Sequence, residues 1–282
     1  SLSPDSAPTA LGRTAPPRYD ATMDVPSRYF RDAKPALLGL VDPRGLRVLD
    51  LGCGGGHNGE LFKKAGAREV VGVERDAGAA AEARRRLDRV VESDLAELDP
   101  AELGDRPFDV VLASDVLEHL IDAEGVLARA VAVLRPGGAV VLSLPNVSNV
   151  YVFSQLLLKT WPRRRSGIFD RTHVRWFAKR DMIRLLEGAG LTVLRVEPYF
   201  TRFRAIRYAS LLLSLYLFRD YWARQFLLLA VKPGGAATRP PDEHRRETSP
   251  TPGEGASPAS THEAGPAGGA ASGGAPSARG GD

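Results

Sequence analysis

Residues 48–60, VLDLGCGGGHNGE, place a dense run of glycines directly behind a short apolar segment. Glycine adopts positive φ without strain and lets the backbone approach a ligand closely, so such a run indicates a turn with an unusual path. An apolar strand, a glycine-rich turn and a helix, in that order, are typical of α/β folds that bind nucleotides. The stretch therefore predicts a strand over Arg47–Leu51 and a ligand-binding turn behind it.

The same glycines match two different motifs. Gly54, Gly56 and Gly59 spell the G-x-G-x-x-G of a dinucleotide site, whereas Asp50, Gly52, Gly54 and Gly56 spell D-x-G-x-G-x-G. Both motifs bring a nucleotide to a strand-to-helix turn. The second also accounts for the acid that precedes the glycines, so we favour it.

Short apolar segments alternate with longer amphipathic segments between residues 29 and 232, the pattern of strand–helix–strand units around a parallel sheet. We predict an α/β, doubly wound, seven-stranded and mostly parallel sheet with an antiparallel last strand. The predicted strands are Arg47–Leu51, 69–73, 89–91, 108–113, 139–144, 191–196 and Gln225–Val231. The predicted helices are 59–65, 77–87, 116–120, 123–134 and 179–189. Residues 134–138, LRPGG, are predicted to form a helix end and a turn.

The two ends of the chain differ in composition from this domain. Residues 1–28 are predicted to be a flexible leader without the apolar core of a secretory signal. Residues 233–282 contain none of the large apolar side chains, so they are predicted to be a disordered tail. The single cysteine, Cys53, excludes an internal disulfide and favours the cytoplasm. The apolar run within 207–222 is shorter than the ~20 residues that span a bilayer, which predicts no transmembrane segment.

The excess of basic residues is small. There are 38 Lys and Arg against 34 Asp and Glu, a net charge of +4 that is too weak to predict DNA binding.

Polar residues follow the predicted strands where a doubly wound sheet binds its ligand, at the carboxyl ends. Glu74 follows the second strand and is suited to accept hydrogen bonds from ribose hydroxyls. Asp94 and Leu95 follow the third strand, and Ser114 and Asp115 follow the fourth.

This set of motifs, DLGCGGG, Glu74, ESDL, FDVVLASDVLEHL and LRPGG, resembles the class I S-adenosylmethionine-dependent methyltransferases. The later segments SLPNVSN and GIFDRTHVRWFAKRDMIRLLEGAGL are similar to the branch that includes ubiquinone-biosynthesis O-methyltransferases. The resemblance implies a Rossmann-like methyltransferase fold over residues 29–232 and S-adenosyl-L-methionine as cofactor.

The resemblance also implies roles for individual residues. It assigns Gly52, Cys53 and Gly54 to the methionine portion of the cofactor, with Asp50 and Gly56 shaping the turn. It assigns Glu74 to the ribose, Asp94 and Leu95 to the adenine, and Ser114 and Asp115 to the amino group or the sulfonium side.

Candidate catalytic residues are His173 and His119. An imidazole suits a general base near neutral pH, and His173 either takes this role or orders its loop by hydrogen bonding. On a helix Asp115, Glu118 and His119 would share one face. With His173 they resemble the set with which small-RNA 2′-O-methyltransferases, and some ubiquinone-type enzymes, hold Mg²⁺. Asp115 is short for its place in that set, so we favour a metal-free site.

The predicted function is methyl transfer to an oxygen of a small-molecule, lipid-linked or sugar-linked acceptor. A basic, aromatic loop over 147–174 suits an acidic or sugar-bearing acceptor, or is a solvated surface. Residues 207–222 either pack in the core, roof an apolar acceptor pocket, or contact a membrane surface or another subunit. The alternatives are a metal-dependent RNA 2′-O-methyltransferase and a cofactor-binding regulator without turnover.

Overall fold

The computed structural model describes residues 33–200 and 218–234, so the predicted leader, most of 207–222 and nearly all of the tail lie outside the described residues. The strands are β1 (Arg47–Leu51), β2 (Glu69–Glu74), β3 (Arg89–Glu92), β4 (Phe108–Ser114), β5 (Leu134–Pro145), β6 (Thr192–Tyr199) and β7 (Gln225–Val231). The α-helices are α1 (His57–Lys64), α2 (Ala77–Ala83), α3 (Ala123–Ala132), α4 (Val150–Leu157), α5 (Lys179–Gly188) and α6 (Arg219–Trp222). Short 3₁₀ helices span Pro35–Gly39, Pro100–Leu103 and Leu117–His119.

The seven strands form one sheet in the order β3-β2-β1-β4-β5-β7-β6. Strands β1 to β5 are parallel, and β7 runs antiparallel to both of its neighbours. The predicted fold class is therefore confirmed, including the antiparallel last strand. The strand order reverses between β1 and β4, and ligands of such sheets bind outside the carboxyl ends at that switch point.

The central strands are apolar because both faces of the sheet are covered. All five residues of β1 are buried, and the buried apolar side chains divide into two large clusters. One cluster packs α3 and α5 against the sheet, and the other packs α1 together with the Pro35–Gly39 turn. A nearly parallel sheet covered in this way holds its strand ends rigidly, which positions the turns behind them.

Several predicted boundaries are wrong. Strand β5 begins at Leu134 instead of residue 139, so the LRPGG segment is the start of a strand and not a helix end with a turn. Leu134 pairs with Phe108 before a register irregularity, which draws this segment into the sheet. The segment 147–174, predicted to be a loop, contains α4.

The helix predicted over 116–120 is replaced by a single 3₁₀ turn, Leu117–His119. Asp115 remains at the sheet edge, because its backbone N–H donates to the Ser143 carbonyl at 3.0 Å, and Leu120 is already extended, with φ -99° and ψ 133°. Only a short turn fits between these two residues. The three polar residues of this segment therefore do not share one helical face.

Within residues 33–200 and 218–234, no helix is long and apolar enough to span a bilayer.

Candidate active site

The glycine turn after β1 has the unusual path that the sequence predicts. Gly52, Gly54 and Gly56 all have positive φ, at 58°, 53° and 81°. A Cβ at Gly52 would lie 2.8 Å from Cγ2 of Val116, so a larger residue would also clash with the β4 turn. Gly56 then caps α1 in the left-handed conformation. The turn is thus narrow and formed mainly by backbone, as a close ligand approach requires.

Two buried acids hold this turn. Oδ2 of Asp50 accepts a hydrogen bond from the Gly59 N–H at 3.1 Å, and burial raises the pKa of Asp50 to about 7. Glu74, at the end of β2, accepts from the Gly54 N–H and from the Asp76 N–H, each at 2.9 Å. Each oxygen of Glu74 therefore has one backbone partner, and a carboxylate oxygen accepts more than one hydrogen bond.

The other residues assigned to the cofactor lie at the same edge. Cys53 is buried, and burial raises the pKa of its thiol, so it is a packing residue and not a nucleophile. Asp94 follows β3, is partly exposed, and pairs with Arg75 at 3.3 Å. Leu95, beside it, is buried.

A buried lysine that the sequence analysis missed lies at the end of β4. Lys34 is 7 % exposed, forms an ion pair with Asp115 and donates to the Ser143 hydroxyl at 2.9 Å. The Ser143 hydroxyl in turn donates to Asp115 at 3.0 Å and lies 3.0 Å from the Ser114 hydroxyl. Gln225 of β7 also donates to Asp115, at 2.9 Å. The Asp115 carboxylate thus accepts hydrogen bonds from residues in three distant parts of the chain.

Asp115 holds this position in a strained conformation. Its φ is +56°, which is uncommon for a residue with a side chain and costs free energy unless the surroundings stabilise it. The Lys34, Ser143 and Gln225 contacts supply that stabilisation. Strained backbone positions cluster at ligand sites, so Asp115, paired with a buried lysine, is a candidate ligand contact.

A second cluster lies just beyond, where the 3₁₀ turn meets the loop before α5. One potential ligand atom from each of Glu118, His119 and His173 lies within 4.8 Å of the others. Nε2 of His173 is 3.9 Å from Oε1 of Glu118, and the two imidazole rings meet edge to face at 4.8 Å. Neither carboxylate oxygen of Glu118 accepts a hydrogen bond from a residue within the described ranges.

Burial dominates the electrostatics of this cluster. Glu118 is 1 % exposed, and burial together with the charge of Asp115 holds its pKa well above the usual range. Burial and the neighbouring His173 lower the pKa of His119 to about 4, and burial lowers the pKa of His173. Both imidazoles are therefore neutral at neutral pH.

The predicted four-residue set is only partly brought together. Glu118, His119 and His173 meet, whereas Asp115 points its carboxylate to Lys34 and Ser143. The sequence carried no signal for Lys34, because a lone lysine before a Pro-containing turn is indistinguishable from a surface residue. Its role depends on contacts 81 and 109 residues away.

Known proteins share this architecture. The model of the methyltransferase domain family matches residues 21–196. A ubiquinone biosynthesis O-methyltransferase of Bradyrhizobium is 38% identical over 143 residues, covering 48% of this chain and 53% of that protein. The chain therefore spans about half the length of this curated relative. A solved S-adenosylmethionine-dependent methyltransferase of Mesorhizobium loti has a TM-score of 0.51 at 23% identity, covering 70% of this chain and 96% of that one.

A second solved structure, a methyltransferase from Archaeoglobus fulgidus, has a TM-score of 0.52 at 20% identity and covers 68% of this chain and 88% of that one. Likeness at this identity shows the fold, while the family match reaches from before the described residues through β1 to β5 and into β6. The chain therefore belongs to the class I S-adenosylmethionine-dependent methyltransferases, whose cofactor is S-adenosyl-L-methionine.

Proposed function

We propose that this chain transfers a methyl group from S-adenosylmethionine to an oxygen atom of a small-molecule, lipid-linked or sugar-linked acceptor. The observation that carries the proposal is the Glu118–His119–His173 cluster, in which Glu118 and His173 are buried and His119 is partly buried. The glycine turn and this cluster follow neighbouring strands of the sheet. Residues able to manage an acceptor proton therefore lie on the same edge as residues able to hold the cofactor.

The residues behind β1, β2 and β3 fit the cofactor from its methionine portion to its adenine. The positive φ values of Gly52 and Gly54 turn the backbone sharply behind β1, and we assign this backbone to the methionine portion of the cofactor. Glu74 keeps lone pairs for the ribose hydroxyls, beyond its two backbone partners. Asp94 and Leu95 would then contact the adenine amine and ring.

The charged pair at β4 fits the methionine part. That part carries one carboxylate and one ammonium group, and Lys34 and Asp115 offer the two opposite charges. We assign the carboxylate to Lys34, and the ammonium group to Asp115 with Ser114 beside it. On cofactor binding, the ion pair between Lys34 and Asp115 would thus be replaced in part by ion pairs with the cofactor.

The chemical demand on the chain is small. When bound, S-adenosylmethionine supplies a methyl group that its sulfonium charge already activates. The protein contributes by holding the acceptor in line, and by accepting the proton if the acceptor is a hydroxyl. His173 is suited to accept it: Nδ1 lies 3.2 Å from the Ile168 carbonyl oxygen, to which it donates, so Nε2 carries the lone pair.

A second candidate is cation-assisted transfer, favoured by one specific observation. A buried carboxylate without hydrogen-bond donors in the described chain is costly, and Glu118 sits beside two neutral imidazoles. Carboxylate and imidazole together are donors that divalent cations accept. Glu118, His119 and His173 would hold such a cation, which supplies positive charge beside an acceptor hydroxyl.

The surface of the segment after β5 supports an acceptor with both apolar and anionic parts. Phe153 and Trp161 of this segment, and Trp176 just beyond it, are exposed at 60%, 40% and 46%. Three exposed arginines, Arg163, Arg164 and Arg165, follow Trp161. The name of the Bradyrhizobium relative likewise favours an oxygen acceptor.

The test is transfer of a labelled methyl group. The full chain is incubated with methyl-labelled cofactor and a panel of phenols, catechols, glycolipids, sugars and short RNAs, and products are identified by mass spectrometry. Label on an oxygen of a small, lipid-linked or sugar-linked compound supports the proposal. Cofactor binding without transfer to any acceptor would instead support a regulator, and transfer to RNA alone would overturn the acceptor class.

A further inference from the structure

The buried Asp170 lies three residues before His173 and belongs to neither group described above. Its Oδ1 atom accepts the Thr172 backbone N–H at 2.8 Å and the Thr172 hydroxyl at 2.6 Å. Asp170 is 5% exposed, so these contacts are largely shielded from water. Because a carboxylate only accepts, the hydroxyl proton of Thr172 is directed to Asp170.

The same hydroxyl oxygen reaches His119. It lies 3.0 Å from Nδ1 of His119, and the Thr172 carbonyl oxygen lies 3.3 Å from the same nitrogen. With its proton committed to Asp170, the hydroxyl oxygen can only accept from Nδ1, and a carbonyl oxygen accepts in any case. Both contacts therefore require a proton on Nδ1, which leaves the lone pair of the neutral ring on Nε2.

We propose that Asp170 is a positioning residue which, through the Thr172 hydroxyl, holds His119 in its Nδ1–H tautomer with the lone pair on Nε2. Partners that fix the tautomer of a functional imidazole in this way are common behind bases and ligands. Both imidazoles would then carry their proton on Nδ1. His173 donates from Nδ1 to the fixed Ile168 carbonyl, whereas His119 faces a rotatable hydroxyl that needs Asp170 to orient it.

The role of Asp170 follows from what its loss would permit. Without the carboxylate, the Thr172 hydroxyl is able to donate its proton to Nδ1 of His119, which favours the Nε2–H tautomer. Removing the hydroxyl as well would leave the Thr172 carbonyl, an acceptor, beside Nδ1. The inference deepens the proposed function, and rests on it only for the effect on turnover.

The test is ¹⁵N NMR of the His119 ring in the full chain at neutral pH, without acceptor, with the signal assigned by its loss in His119→Gln. Wild type and Thr172→Val are expected to show Nδ1–H. Asp170→Ala is expected to raise the Nε2–H population, and Asp170→Ala/Thr172→Val is expected to restore Nδ1–H. Asp170→Asn, which keeps an oxygen acceptor, is expected to resemble wild type. Asp99→Ala removes a similar cap from the Pro100–Leu103 turn and serves as the matched control.

Turnover is measured on the same variants once an acceptor is known. Asp170→Ala is expected to lower turnover roughly 10–100-fold, with recovery in the double variant. An Nε2–H ring in wild type, or a double variant that behaves as Asp170→Ala, would overturn the proposal. Should Asp170→Ala not fold, Asp170→Glu, which displaces the carboxylate from Thr172, replaces it. Absence of methyl transfer by wild type would count against the proposed function alone, because the tautomer is read without acceptor.

Discussion

Two buried glutamates follow the strands on either side of β1, and their surroundings are opposite. Glu74, at the end of β2, has a backbone N–H on each oxygen, whereas Glu118, after β4, has no donor from the described residues on either. Both are less than a tenth exposed, at 7% and 1%. Burial alone therefore does not separate them; their hydrogen bonds do. Glu74 is part of the frame of the glycine turn, and Glu118 is a carboxylate whose partner is expected to be a ligand.

The largest expected effect is the loss of turnover when a residue of the Glu118–His119–His173 cluster is replaced. His173→Ala is expected to lower turnover about 10²–10⁴-fold, because the proton acceptor is lost, while cofactor affinity stays unchanged. Single-turnover assays with saturating cofactor measure it, and His244→Ala, in the predicted tail, is the control. If His173 acts as a base, chelators have no effect.

A cation would change that outcome. Chelation by EDTA would then abolish turnover, added Mg²⁺ or Mn²⁺ would restore it, and alanine variants of Glu118, His119 and His173 would fail alike. Loss of turnover on chelation, reversed by added metal, would show that the metal-free site favoured by the sequence is wrong.

The pH profile sharpens the same distinction. A base acts when deprotonated, so activity rises with pH through the pKa of His173. Because burial lowers that pKa below 6.5, the rise is expected to be centred below pH 6.5. We expect kcat/KM to approach its plateau towards neutral pH. A rise centred above pH 6.5 would exclude a role for this imidazole as the base.

The Glu74 side is expected to respond in cofactor affinity. Glu74→Ala leaves the Gly54 and Asp76 amides without their acceptor and removes the partner of the ribose, costing about 1–3 kcal/mol of binding free energy. Calorimetry with S-adenosylhomocysteine measures it, with the exposed Glu92→Ala as control and NAD as a ligand that should bind negligibly. Unchanged affinity in Glu74→Ala would remove Glu74 from the cofactor site.

The two glutamates should also differ in their effect on folding stability. Glu118→Met replaces an unsatisfied buried carboxylate by an apolar side chain, and is expected to stabilise the fold by about 1 kcal/mol or more while activity falls. Glu74→Ala is expected to destabilise it. Burial raises the pKa of Glu118 in the folded state above 4.5. The carboxyl is therefore neutral, and least unfavourable for the native state, below pH 4.5, and its ionisation at higher pH lowers the free energy of unfolding.

The gain from Glu118→Met should therefore grow from acidic to neutral pH. Urea unfolding at acidic and at neutral pH, in the presence of chelator, measures this gain in the free energy of unfolding. Equal destabilisation by both substitutions would mean that Glu118 has a structural partner.

The smallest effect is expected from the predicted tail. Residues after Pro233 have no large apolar side chain to bury, so deleting 234–282 should shift the melting temperature by no more than about 1–2 °C. Thermal unfolding of the full and shortened chains measures it. A larger drop would show that the tail packs against the domain.

The contrast between the two glutamates also separates what sequence reasoning can reach from what it cannot. The side of Glu74 was predictable because its features are local. A strand, positive-φ glycines and an acid at the next strand end follow one another at short spacing, and parallel pairing of β1 with β2 brings them together. Strand β1 and strand β7 have the predicted bounds for the same reason, since an apolar run is read from neighbouring residues.

The side of Glu118 depended on contacts across the chain. Spacing alone grouped Asp115 with Glu118 and His119, but the Ser143 carbonyl keeps Asp115 in the sheet and Lys34 takes its carboxylate. The sequence by itself determined the sheet and the glycine turn, since these rest on local pattern and periodicity. Its cofactor class followed from the resemblance of its motifs to the class I methyltransferases. Only the tertiary structure decided which carboxylate is satisfied and which is not, because hydrogen-bond partners tens of residues apart are chosen by packing and leave no trace in local spacing.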